Sequence, residues 1–144
     1  MMFSRFICLL TISTIFMLSC KKDVSAILVG KWSIVSDRMS WTNAQTSASG
    51  DSVYIGQSTD YYDFTSHNNL FIREGASFDT ADYSFLSSNK IQIKYFSLDG
   101  VSFGPAGAFG QLFTISNATS HSVTLSSSVI TPGGLRAETL TLKR

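Results

Sequence analysis

Residue types able to do chemistry are few and widely spaced in this chain. Gly100-Val101-Ser102-Phe103-Gly104 fits G-x-S-x-G, the pattern of a nucleophilic serine on a tight strand-to-helix turn. Pro105, Gly107 and Gly110 oppose a helix after it, and no Asp or Glu separates Ser102 from His121, so the order serine, acid, histidine is missing. His67 and His121, the only histidines, each flank a turn with no second ligand at metal-binding spacing and read as solvated turn positions. Acidic residues are scattered singly, and Asp63 with Asp79 or Asp82 would meet only through tertiary contact. The expectation is a chain with no catalytic residue, no metal and no cofactor.

The cysteines carry a different chemistry. Cys20 ends a run of 14 mostly apolar residues, Phe6 to Ser19, behind the single basic Arg5, with the small Ser19 at the cleavage position. That run is shorter than the roughly 20 residues needed to span a bilayer. The arrangement, continued by Lys21-Lys22-Asp23, resembles the signal of bacterial lipoproteins, those of Bacteroidota in particular, with Leu18 one place nearer the cysteine than is usual. The resemblance implies a signal peptide over 1–19, diacylglycerol on the Cys20 thiol and an acylated new amino terminus. More than one acyl chain anchors stably where one binds marginally. Lys21 at the second mature position points, by the same resemblance, to the outer membrane, with the periplasmic or surface side left open. Cys8 would leave with the signal and Cys20 would be consumed by lipid, so disulfides and thiolate chemistry are excluded from the mature chain.

From Cys20 to Arg144 there are 125 residues, the size of one domain, expected to fold over 28–144 behind a tether at 20–27. Without Arg5 the chain holds ten Lys and Arg against ten Asp and Glu. No basic cluster exceeds Lys21-Lys22, which excludes a nucleic-acid footprint.

The mature chain is dominated by period two. Lys90 to Tyr95, Ser122 to Ser126 and Thr139 to Lys143 alternate apolar with polar, the pattern of strands with one face in a core. Less regular runs add strands over 31–41, 52–57, 60–66, 70–74, 81–87 and 109–116. Turn chemistry at His67-Asn68-Asn69, Ser87-Ser88-Asn89, Asn117-Ala118-Thr119 and Pro132-Gly133-Gly134 joins them. Val24 to Val29 suits a short helical plug. Nine or so short strands imply an all-β domain, and sequential neighbours favour an antiparallel up-and-down barrel of about eight or nine strands over a sandwich.

Leu28-Val29-Gly30-Lys31-Trp32 resembles the Gly-x-Trp opening of the lipocalins and of small lipocalin-like lipoproteins of Bacteroidota, with Tyr62-x-Phe64, Ile91-x-Ile93, Phe113-x-Ile115 and the closing Leu140-x-Leu142-x-Arg144 continuing the outline. The resemblance implies Trp32 at the barrel base with a basic side chain over it, Arg144 by position and Lys143 or Arg136 as substitutes.

Alternation assigns Trp32, Ile34, Val53, Ile55, Ile72 and the aromatics Tyr62, Phe64, Tyr83, Phe85, Tyr95 and Phe113 inward. An eight-stranded barrel is wide enough to be filled by side chains or to hold one small ligand. Those six aromatics are therefore candidates for a ligand cavity, and Val101 and Phe103, in the glycine-rich 97–108 stretch, for its lid. Two readings stay open: a membrane-anchored binder of a small hydrophobic or amphiphilic ligand, or a filled barrel that contacts envelope proteins or glycans. Neither is an enzyme, and oligomeric state is not legible.

Overall fold

A computed structural model describes residues 23–65, 67–98, 101–102 and 109–144, the backbone alone at 97–98, 101–102 and 109. Cys20 and Phe103 lie outside these residues, and Val101 is described by its backbone only. Among the described residues eleven strands follow one helical turn: α1 (Val24–Leu28), β1 (Gly30–Asn43), β2 (Ser49–Ile55), β3 (Tyr61–Phe64), β4 (Asn69–Glu74), β5 (Ser77–Ser87), β6 (Lys90–Tyr95), β7 (Ser97–Leu98), β8 (Val101–Ser102), β9 (Phe109–Ser116), β10 (Ser122–Thr131) and β11 (Gly134–Lys143). Eight of them, in the order β1-β3-β4-β5-β6-β9-β10-β11, form an antiparallel barrel that closes where β11 pairs with β1. β2 is an extra strand on the far half of β1, and β7 pairs with β8 as a separate two-residue ladder in the stretch expected to be loop.

The barrel has a closed end and an open end, and the sequence decides which is which. Asp23 accepts from the Ser25 backbone N–H at 3.0 Å and caps α1. The helix then lies on the core through Val24, Ile27 and the fully buried Leu28. It matches the short helical plug expected over Val24 to Val29, begins within the stretch read as tether and ends at Leu28, and it closes the barrel there. Trp32, fully buried, donates its indole N–H to the Leu28 carbonyl at 2.7 Å. Arg144 stacks its guanidinium 4.1 Å from the centroid of the Trp32 ring and hydrogen-bonds the Val29 carbonyl. Gly30 stands at φ +113°, and a Cβ there would come within 2.9 Å of the Arg144 guanidinium. Glycine is thus needed for its backbone, and the room it leaves is taken by the tip of the Arg144 side chain. Above this plug the interior is filled by Phe64, Leu70, Ile91, Ile93, Phe113, Leu125, Leu140 and Leu142, all at or near zero exposure.

At the other end the strands run to unequal lengths. β9 pairs with β10 only over Thr114 to Ser116, leaving Ser127 to Thr131 without a β9 partner. β2, the far half of β1, β11 and this end of β10 therefore stand as a four-stranded flap on the open end. A β-bulge between Ile34 and Ser36 of β1 marks where the flap begins. The extra residue reverses which face each side chain takes. Trp32 and Ile34 point inward below it, whereas Asp37 is the buried residue above it.

This bulge corrects one sequence expectation. Val53 and Ile55 are 51% and 66% exposed, because they pair with Arg38 and Ser36 on the outward face of the flap, while Tyr54 pairs with the inward Asp37. Gly56 makes the crossing possible. Its N–H reaches the Val35 carbonyl at 3.2 Å, and a Cβ would sit 2.1 Å from the Ile34 carbonyl oxygen.

Trp32→Ala is expected to cost about 3 to 5 kcal/mol in urea denaturation, the range for deleting a fully buried aromatic. A cost below about 1 kcal/mol would contradict the role given to the closed end.

Candidate functional site

On four strands the inward column of apolar side chains becomes polar toward the open end. On β4, Leu70 and Ile72 are followed by Glu74; on β5, Ala81 is preceded by Asp79; on β9, Phe113 by Gln111; on β11, Leu140 by Glu138. β1 adds Asp37 above its bulge, and Tyr62 and Tyr95 lie just below. Together with Met39, Ile72, Val129, Arg136 and Ala137 these residues line a cavity of about 400 Å³. Its walls come from the barrel on one side and from the flap on the other. A volume of that size lies within the range of small-molecule sites.

Three of the carboxyl groups are held by nearby side-chain donors. Gln111 Nε2 donates to Glu138 Oε2 at 2.7 Å, the Tyr62 hydroxyl reaches Glu74 Oε1 at 3.4 Å, and the Ser77 hydroxyl reaches Asp79 Oδ2 at 3.3 Å. Asp37 differs: it is 7% exposed and its Oδ1 has no hydrogen-bond partner. Below the flap a fifth carboxylate fixes the frame. Asp60, 1% exposed, accepts from the Tyr54 hydroxyl, from the Gln57 N–H at 2.6 Å and from the Gly75 N–H at 3.0 Å, tying the β2–β3 turn to the β4–β5 hairpin beside Glu74.

Burial and mutual repulsion set the protonation of the cavity. Burial first, then the Glu138 and Glu74 carboxylates, push Asp37 up to about 7. Burial and then Glu138 push Glu74 up to about 7. Glu138 is also raised by burial, with the Gln111 hydrogen bond and the Arg136 charge pulling back. Burial holds the Tyr62 and Tyr95 phenols well above their ordinary value, so both stay protonated. Asp60 goes the other way: burial would raise it, but its hydrogen bonds outweigh that and leave it lowered.

Of the six aromatics expected to line a cavity, Tyr62 and Tyr95 do so. Phe64 and Phe113 are fully buried in the core beneath it. Tyr83 donates its hydroxyl to the Thr65 carbonyl at the closed end and meets Phe64 and Phe85 edge-on, at 5.2 and 5.8 Å between ring centroids. The bulky aromatics therefore fill the lower half of the barrel and leave the space to the upper half. Asp63 and Asp82 pair on outward faces, opposite Lys31 and Lys94, away from Asp79. His67 and His121 are exposed at closed-end turns, and Ser102 lies in β8. Among the described residues no group of three or more His, Cys, Asp or Glu is arranged to hold a metal ion.

Asp37, Glu74, Gln111 and Glu138 are not singled out by the sequence, and Arg136 is named there only as a substitute for Arg144 over Trp32. Their signal is present: the period-two alternation, continued one step past the last apolar residue, lands on Glu74, Gln111 and Glu138. Comparison with protein-family models and with curated proteins finds no match to this chain.

The raised carboxyls make stability pH-dependent. Asp37 and Glu74 move from 3.8 and 4.5 to about 7, so the folded chain holds these protons more tightly than the unfolded one. Their contribution is complete below the unfolded values and is lost as pH rises through about 7. The lowered Asp60 acts in the opposite sense, but only below the ordinary carboxylate range. The thermal midpoint is therefore expected to fall between about pH 5 and about pH 8, and Asp37→Asn to flatten that fall. A midpoint that is constant or rises over the interval would contradict the buried acidic lining.

Proposed function

We propose that this protein is a non-enzymatic, lipid-anchored binder of a small molecule, held at the open end of a lipocalin-like barrel. The observation that carries the reading is the cavity of about 400 Å³ above a filled core, with polar groups converging from all eight barrel strands on a partly apolar lining. The closed end supports the lipocalin-like part of the reading, since Gly30, Trp32 and Arg144 meet there as the resemblance implies.

The anchor is read from Cys20 and the apolar run before it. Acylated there, the protein would sit on the outer membrane. The short Lys21-Lys22-Asp23 stretch would then separate the lipid from α1, on the closed end, so the cavity would face away from the bilayer.

Mass spectrometry of the protein from its own host's membranes tests both halves. Acyl mass is expected on Cys20, lost in Cys20→Ala together with membrane retention, and native spectra are expected to carry a non-covalent small molecule that denaturation releases. Unchanged retention with no lipid mass would overturn the anchor. A spectrum of bare protein under all native conditions would favour the filled-barrel interaction module instead.

A further inference from the structure

The cavity's lining specifies the charge of what enters it. Asp37, Glu74, Asp79 and Glu138 reach it from four strands, and Arg136 is the one cation among the described lining residues. An anion such as a fatty acid would meet like charge there, and like charges brought together out of water repel strongly. Three of the four carboxyls already accept from protein donors, namely Tyr62, Ser77 and Gln111. Asp37 Oδ1 does not, although Asp37 is 7% exposed and borders the cavity. A buried acceptor left without a donor is a standing cost that a ligand N–H would remove.

The rest of the lining limits the choice further. Met39, Ile72, Val129 and Ala137 are apolar, and Tyr62 and Tyr95 add aromatic rings that favour a cation or an apolar body nearby. A bare metal ion does not suit the site, since no three ligating groups converge for one among the described residues.

We propose that the cavity takes a small organic ammonium with an apolar body, a primary or secondary amine whose N–H groups bond to Asp37 and Glu138 while its body lies against Ile72, Tyr62 and Tyr95. This deepens the small-molecule reading and rests on it. Across the site, Asp37 of β1 faces Glu74 of β4, Asp79 of β5 and Glu138 of β11, with Arg136 and the two phenols as the other titratable groups. A bound cation favours the ionised carboxylates and displaces the protons that Asp37 and Glu74 hold near neutrality. Affinity therefore rises with pH through the neutral range.

Isothermal titration of the full chain in phosphatidylcholine nanodiscs, with empty discs as the blank, tests this with three probes of one shape: tryptamine, tryptophol and indole-3-propionate. Tryptamine is expected to bind at least about tenfold tighter than neutral tryptophol, and the propionate not to bind. Lowering the pH from about 8 to about 6 is expected to weaken tryptamine by about tenfold over the interval for each proton displaced, and to leave tryptophol unchanged. Asp37→Asn is expected to reduce tryptamine affinity at least about tenfold without weakening tryptophol. Should that variant fail to fold, Glu138→Gln supplies the same comparison. Tryptophol or the propionate binding as tightly as tryptamine would overturn the cation preference and leave the small-molecule reading standing. No binding by any of the three at millimolar concentration would overturn both.

Discussion

One extra residue in β1 governs what this barrel can do. Without the bulge between Ile34 and Ser36, the alternation that buries Trp32 and Ile34 would carry Ser36 and Arg38 inward and turn Asp37 out to solvent. With it, the lower half of the strand contributes apolar bulk to a filled core and the upper half contributes a carboxyl group to a cavity. Gly56 is the condition for the switch, because only a residue without a side chain lets the chain pass against the Ile34 carbonyl. Asp60 then ties the adjoining turn to the β4–β5 hairpin and so sets Tyr62 and Glu74 relative to Asp37.

The two ends of the barrel show opposite treatments of polar groups. At the closed end every feature is paired: Trp32 with the Leu28 carbonyl, Arg144 with the Trp32 ring and the Val29 carbonyl. At the open end, charge of one sign is crowded and partly desolvated, and Asp37 keeps an oxygen without a partner. Such crowding opposes folding at neutral pH and above, and an apolar lining of equal volume would be more stable. Stability forgone at one end of an otherwise well-satisfied fold is the physical mark of a site shaped for something else.

Much of the fold was legible because burial on one face repeats every two residues. Ile91-x-Ile93 and Leu140-x-Leu142 announce β6 and β11 directly, and the turns at Asn68 and Asn117 use positive φ, which asparagine tolerates. The site was less legible for the same reason. A strand recognised by its apolar face stops where that face turns polar, so the alternation begins β5 at Ala81 rather than Ser77 and β11 at Thr139 rather than Gly134, just short of Asp79 and Glu138. The bulge, which has no apolar signature, inverted the reading of Val53 and Ile55. The aromatics were placed inward, but which of them fill the core and which border space depends on height along the barrel, a quantity set by shear between strands rather than by local pattern.

The physical claim beneath both proposals is that the open end holds carboxyl groups withdrawn from water and set against one another. Carboxyl-carbon NMR titration of the empty protein measures this residue by residue. Asp37 and Glu74 are expected to titrate near 7, and each to fall when Glu138 is replaced by glutamine while staying above the ordinary carboxylate range, because burial is the larger cause. Both groups titrating at about 4 in the unaltered chain would contradict it, because it would mean that the cavity is open to water and its charges independent.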